Sequence, residues 1–238
     1  IYRHPSRALT VIGVTGTKGK STAVELLRTI FETAGEKVAF LSSVYVGVDA
    51  ERAANRTDTT MPGRFFIQKF LRRAADAGCR YAFIEVTSQG VLQHRHQFID
   101  WDAAVFLNLH PEHIEAHGSY EKYREAKISF FRYVAEHSPK PRKMFVINEA
   151  EKDAALFKYA VEGKGELLSF DGGNDLPDLA GKNPWFALPG NREDAAAAAA
   201  AARAFGVHAS AIDSALARFK GLPGRFEWIQ REPFGVVI

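Results

Sequence analysis

The residues best suited to chemistry lie near the amino end, in Gly13-Val14-Thr15-Gly16-Thr17-Lys18-Gly19-Lys20-Ser21-Thr22, between an apolar run and a helical periodicity. In that context the stretch reads as a phosphate cradle. Glycines let backbone N–H groups approach an anion, Lys20 brings positive charge to the outer phosphates, and Ser21 offers a hydroxyl to a Mg²⁺ ion at a helix N-terminus. The pattern is not a strict G-x-x-x-x-G-K-[ST], whose first glycine would fall at Val14 instead of Gly13.

Two further clusters carry donors. Glu85-Val86-Thr87-Ser88-Gln89-Gly90 closes a predicted strand, which puts it on the same sheet edge as the cradle. A hard cation on phosphates takes one or two carboxylates, so Glu85 is a candidate Mg²⁺ ligand, although a strand-end glutamate taken alone is more often a cap or an ion-pair partner. Asn108-Leu109-His110-Pro111-Glu112-His113-Ile114-Glu115-Ala116-His117-Gly118 gathers histidines near carboxylates, with Lys127 in the helix that follows. A zinc site is a poor reading of it, since no H-E-x-x-H spacing occurs and thiolates are absent.

The elements that must position these residues follow from periodicity. Strands are expected at 9–14, 37–41, 80–86, 103–107, 143–147 and 166–170, and helices at 21–34, 65–78, 119–135, 153–160 and 209–219. Eight alanines at 195–202 continue into Arg203-Ala204-Phe205 and read as a helix whose small side chains permit close packing. The polar stretch between residues 42 and 60 has little periodicity and reads as a connection facing a ligand. The alternation predicts an α/β fold, a mostly parallel sheet flanked by helices, with ligands at the carboxyl ends of its strands.

Composition narrows the function class. With 238 residues, 46% of them hydrophobic, the chain suits one large α/β domain. The net charge of +3 is spread among interspersed acids and bases, which gives no argument for nucleic acid. A single cysteine, Cys79, allows no intrachain disulfide and fits a reducing cytoplasm, where it is expected to fill core space. No stretch has the length of a membrane span, and residues 1–10 lack a signal-type apolar core. The chain opens at Ile1 and ends in the strand-like Val236-Val237-Ile238, so both ends are expected to be cut from something longer.

Taken together, these stretches resemble the ATP-dependent Mur ligases in sequence and order: the cradle, Glu85-Val86-Thr87-Ser88, Asn108-Leu109 to His113 with Gly118, Tyr123-Arg124-Glu125-Ala126-Lys127, and Gly224-Arg225-Phe226-Glu227. Tyr2-Arg3-His4-Pro5-Ser6 and Gln93-His94-Arg95 are similar to the UDP-N-acetylmuramyl-tripeptide synthetase (MurE-like) branch. The resemblance implies a P-loop-containing Mur ligase central domain, with ATP and Mg²⁺ as cofactors and a UDP-linked muramyl peptide and an amino acid as substrates. It also implies amide-bond formation through an acyl phosphate, in the cytoplasm, with no nucleic-acid or membrane partner.

Residue by residue, the resemblance implies that Gly16, Thr17, Lys18, Gly19, Lys20, Ser21 and Thr22 hold the phosphates. Ser21 and Glu85 would hold a first Mg²⁺, and His113 would help hold a second. Lys20, His113 and Lys127 would be catalytic, Lys127 as a carbamate that serves the metal or the acyl phosphate. Read without the resemblance, Lys127 is a solvent-facing helix lysine. Asn191 would contact adenine, provided the chain is two residues shorter after Gly190, and Arg225 would reach the phosphates. Thr60, Thr87, Gln93 and Arg95 would bind the muramyl substrate.

Three departures stand out: Met61 where a second threonine is common, Gln89 in place of a usual histidine, and Asp194 in place of a second asparagine. Residues 1–224 are expected to form the central ATP-binding domain and 225–238 the truncated start of a C-terminal domain, with N- and C-terminal domains of the full protein flanking them. As a fragment, the chain is expected to bind nucleotide weakly and turn over little. A ligase of cyanophycin synthetase or folylpolyglutamate synthase type, and a nucleotide-binding module without catalysis, are the alternatives.

Overall fold

Alternation along the first strand sets the layering. In β1 (Thr10–Thr15) Val11 joins one apolar cluster, while Ile12 and Val14 join the other. The computed structural model of the chain describes residues 2–112, 114–176, 178–225, 228–230 and 236–237. The parallel strands β1, β2 (Val38–Leu41), β5 (Tyr81–Glu85), β6 (Ala103–Phe106), β7 (Met144–Asn148) and β8 (Glu166–Phe170) form most of an eight-stranded sheet. The hairpin β3 (Tyr45–Val48) and β4 (Glu51–Ala54) extends it antiparallel from β2. The spatial order is β4-β3-β2-β5-β1-β6-β7-β8.

One face is covered by α1 (Lys20–Thr33), α8 (Pro189–Ala204) and α9 (Ala209–Arg218), the other by α2 (Arg64–Asp76), α5 (Tyr120–His137) and α6 (Ala154–Ala160). Short helices α3 (Ser88–Leu92), α4 (Ile114–His117) and α7 (Leu179–Lys182), with 3-10 turns at Pro5–Ala8 and Pro184–Ala187, complete the connections. Outside this sheet, β9 (Trp228–Gln230) pairs with β10 (Val236–Val237). Among the described residues no helix is long and apolar enough to cross a membrane.

The α/β architecture and its strands lie where periodicity puts them. All eight alanines of 195–202 are buried, because α8 is enclosed by α1 and by β6, β7 and β8 of the sheet, and small side chains let it pack closely on α1. Cys79 is buried and unpaired. The stretch 42–60 corrects expectation, since it contains β3 and β4. Every residue of β4 is exposed, so it carries no burial alternation that a sequence reading could detect. Gly13 is also corrected. It lies inside β1, and a Cβ there would meet the Phe130 ring at 2.5 Å and Trp101 at 2.9 Å, so it serves strand–helix packing and takes no part in the cradle.

The sheet order makes β1 a switch point. The chain moves from β1 to β2 on one side, returns through β5, and crosses to β6 on the other. The carboxyl ends of β1, β5 and β6 therefore open side by side, with Val14 opposite Glu85 and Thr15 opposite Phe106.

Two outcomes follow from this packing. Gly13→Ala should cost about 1–3 kcal/mol by overpacking, read from urea unfolding. His96 is buried edge-on to Tyr133 at 4.6 Å, and burial pushes its pKa down from its ordinary value to about 4. Its neutral form is then favoured by folding: the stability it contributes is complete above about pH 6.5 and is lost as pH falls towards 4, by about 3 kcal/mol. Unfolding of native and His96→Leu protein at about pH 7 and about pH 5 should show a smaller acid loss in the variant.

Candidate nucleotide and acceptor site

The cradle closes through backbone geometry. A Cβ at Gly16 would stand 2.9 Å from the Leu107 Cβ, and Gly19 adopts φ +81° as it caps α1, so only glycine fits either place. Asn108, just past β6, holds the loop: its Oδ1 accepts from the Thr17 N–H at 3.0 Å and the Lys18 N–H at 2.9 Å, while its Nδ2 donates to the Lys18 carbonyl at 3.3 Å. Thr17 Oγ1 lies 3.0 Å from the Tyr123 hydroxyl and accepts from the His110 N–H at 2.9 Å. Lys20 Nζ folds onto the loop, donating to the carbonyls of Gly16 and Thr17 at 2.9 Å each.

Three oxygen-bearing side chains meet beside the loop. Ser21 Oγ is 2.7 Å from Ser43 Oγ, and the Ser43 N–H donates to Glu85 Oε1 at 2.7 Å. Arg225 reaches Ser43 Oγ at 3.3 Å. Glu85 is almost fully buried, which pushes its pKa up, while Lys20, hydrogen bonds from Ser21 and Ser43, and Arg225 pull it back. Burial lowers the Lys20 pKa, and Glu85 opposes that. A cavity of about 440 Å³ runs over residues 17–22 and is walled by Ser43, Thr60, Glu85, Glu112 and Arg225. One hydroxyl and one carboxylate, both hard oxygen donors, suit a Mg²⁺ ion that takes its remaining ligands from phosphates and water. Among the described residues no group of three or more acids, histidines or cysteines is placed to hold a metal alone.

A second cavity, of about 450 Å³, shares Thr17, Lys20 and Thr60 with the first. Thr87, Gln93 and Arg95 line it, with Met61, Gln89, His117, Tyr123 and Lys127. Thr87 caps α3, accepting from the Gly90 N–H at 3.0 Å, and Arg95 donates to the Met61 carbonyl. Met61 packs on Gly90, so its side chain serves packing while its backbone holds Arg95. Lys127 is buried rather than solvent-facing, which corrects its reading as a surface lysine. Its Nζ donates to the Gly16 carbonyl at 2.7 Å and sits 4.8 Å from the Tyr123 ring centroid. Burial drives its pKa well down, and neighbouring Lys20 drives it further.

The structure thus brings together residues 16–22, Glu85, Lys127, Arg225, Thr60, Thr87, Gln93 and Arg95 around two joined cavities. Asn191 lines neither. It is fully buried, its Nδ2 donates to the Trp185 carbonyl at 2.8 Å, and its Oδ1 has no hydrogen-bond partner. His113, Phe226 and Glu227 lie outside the described residues. Sequence reading named Asn108, His117 and Tyr123 only as members of motifs, and Ser43 only within the polar stretch expected to face a ligand, where the structure puts it on the cavity wall. Asn108 had one usable signal for its own part, an amide at a strand end near the cradle.

The model of the Mur ligase middle domain matches residues 14–182. The chain belongs to the Mur ligase family. A UDP-N-acetylmuramyl-tripeptide synthetase of Roseiflexus sp. (strain RS-1) is 31% identical over all of this chain and 52% of its own length. A UDP-N-acetylmuramoyl-L-alanyl-D-glutamate--2,6-diaminopimelate ligase of Parabacteroides distasonis is 32% identical over 98% of this chain and 50% of its own. A solved structure bearing that same ligase name superposes with a TM-score of 0.78 at 25% identity, over 97% of this chain and 51% of the other. This Mur ligase chain therefore spans about half the length of those relatives.

Asn108→Ala should leave the Thr17 and Lys18 amides short of a buried acceptor. We expect a stability loss of about 1–3 kcal/mol in urea unfolding and weaker ADP binding by calorimetry.

Proposed function

We propose that the chain is the ATP-binding core of a ligase that joins an amino acid to a UDP-linked muramyl peptide through an acyl phosphate, in the cytoplasm. Residues 1–224 would be the central domain and 225–238 would open the next. The observation that carries this reading is the second cavity beside the first, sharing Thr17, Lys20 and Thr60 with it and lined by the buried amine of Lys127. Burial of that amine costs free energy that its hydrogen bond to the Gly16 carbonyl offsets only in part, and a carbamate formed on it would supply an anion that nucleotide binding alone does not call for.

In this reading the amides of residues 16–22 and Lys20 hold the phosphates, with Arg225 reaching them from across the cavity. Ser21 and Glu85 would hold Mg²⁺, which when bound neutralises phosphate charge. His113 is assigned to a second ion, and Asn191 to the base, by resemblance. Thr60, Thr87, Gln93 and Arg95 hold the acceptor so that its carboxylate faces the γ-phosphate. A carboxylate oxygen attacks phosphorus and the bond to ADP breaks. The amino-acid nitrogen then attacks the acyl carbon, phosphate leaves, and the nitrogen loses a proton. Neutral Lys127 is the form that adds CO₂, releasing one proton and leaving a carbamate anion beside the Gly16 carbonyl.

In the full-length protein, release of phosphate should require both a UDP-linked muramyl peptide and one amino acid. Lys20→Ala should lower kcat at least about 10²-fold. Mass spectrometry of the intact protein under bicarbonate should show one CO₂ adduct, absent in Lys127→Ala. Undiminished turnover by Lys20→Ala would refute the catalytic reading.

A further inference from the structure

Asp194 is an acid that the fold presses against the glycine that opens α1. It sits on α8, almost wholly buried, and a Cβ on Gly19 would fall within its carboxyl, 2.6 Å from Cγ. That contact places a carboxyl at the first turn of α1, next to Lys20, where the nucleotide reading also places phosphates. The charged groups that act on it are Glu193, the residue before it on α8, and Lys20 across the loop.

We propose that Asp194 sets nucleotide affinity: once ionised, its carboxylate competes with the phosphates for the positive field of Lys20 and the α1 N-terminus. This rests on the nucleotide-site reading above. Two anions sharing one positive field repel each other, and in a site shielded from water that repulsion is poorly screened. Phosphates and the Asp194 proton therefore favour one another, and each strengthens binding of the other by the same factor. Burial and Glu193 push the Asp194 pKa well up, against the pull of Lys20, so the protonated form persists beyond the ordinary carboxylate range. An asparagine there would have the same shape and no charge to lose. The ionisable Asp194 thus gives an affinity that falls as pH rises.

Calorimetric ADP binding to the full-length protein, with Mg²⁺ in fixed excess, tests this from about pH 5 to about pH 9, with Asp194→Asn carrying the slope that the nucleotide's own phosphate titration contributes to both proteins. The native protein should weaken by up to about tenfold per pH unit once Asp194 titrates. Asp194→Asn should bind more tightly at the alkaline end and show a flatter profile, any remaining slope belonging to Lys20 and the nucleotide's phosphate. Equal slopes in both proteins would overturn the proposal while leaving the nucleotide site intact. Failure of native protein to bind ADP at any pH would sink the site reading and this proposal together. Should Asp194→Asn not fold, infrared difference spectra of native protein decide: adding ADP at alkaline pH should raise a protonated-carboxyl band, and no change would refute the idea.

Discussion

A phosphate-binding loop must hold several N–H groups pointing at one spot with little side chain to brace it, and here the Asn108 amide braces its backbone. Asn108 accepts from two successive loop N–H groups and donates to a loop carbonyl, so it binds the turn from both polar directions. It can do so only because β6 lies directly beside β1 in the sheet. That adjacency is the switch point, and Glu85, at the end of β5 on the other flank of β1, depends on it equally. The site is thus a property of strand order before it is a property of any motif.

Charge is the second constraint. Lys20, Glu85, Lys127 and Asp194 are all buried to a degree that disfavours their charged forms. An arrangement of that kind is costly unless the charges are compensated by something that binds, which is the usual signature of a working site. The fold offsets part of the cost locally: Ser43 shares its N–H with Glu85 and its hydroxyl with Ser21 and Arg225, and the Gly16 carbonyl receives both lysines.

Much of this was legible in residue order. The strands and the main helices follow from apolar period, and the cradle, Glu85 and the Lys127 helix stand out by type and by place on a strand end. What stayed hidden is instructive. β4 has no buried side, so nothing in its pattern marks it as a strand. Gly13 looks like part of a glycine-rich loop, yet its reason is the ring of Phe130, a residue more than a hundred positions away. The burial of Lys127 and the contact of Asp194 with Gly19 are tertiary facts, since neither local period nor local composition encodes which helix face meets the loop. Asn191 was assigned by resemblance, and the structure turns its amide inward to Trp185.

The wall between the two cavities shows why these details bear on chemistry. It consists of Thr17, Lys20 and Thr60, the residues common to both linings. Thr17 is fixed at its backbone by Asn108 and at its hydroxyl by Tyr123 and His110, so it has little freedom to drift. In the proposed reaction, transfer between two bound anions is limited by how closely they can be held without repulsion, and a shared wall that carries the Lys20 charge serves that need. Tyr123 touches Thr17 on the wall and lies against Lys127 behind it, so the same helix, α5, sets the partition and the amine at once. Any shift of α5 would move both together, keeping their spacing while changing the width of the second cavity, which Tyr123 and Lys127 line.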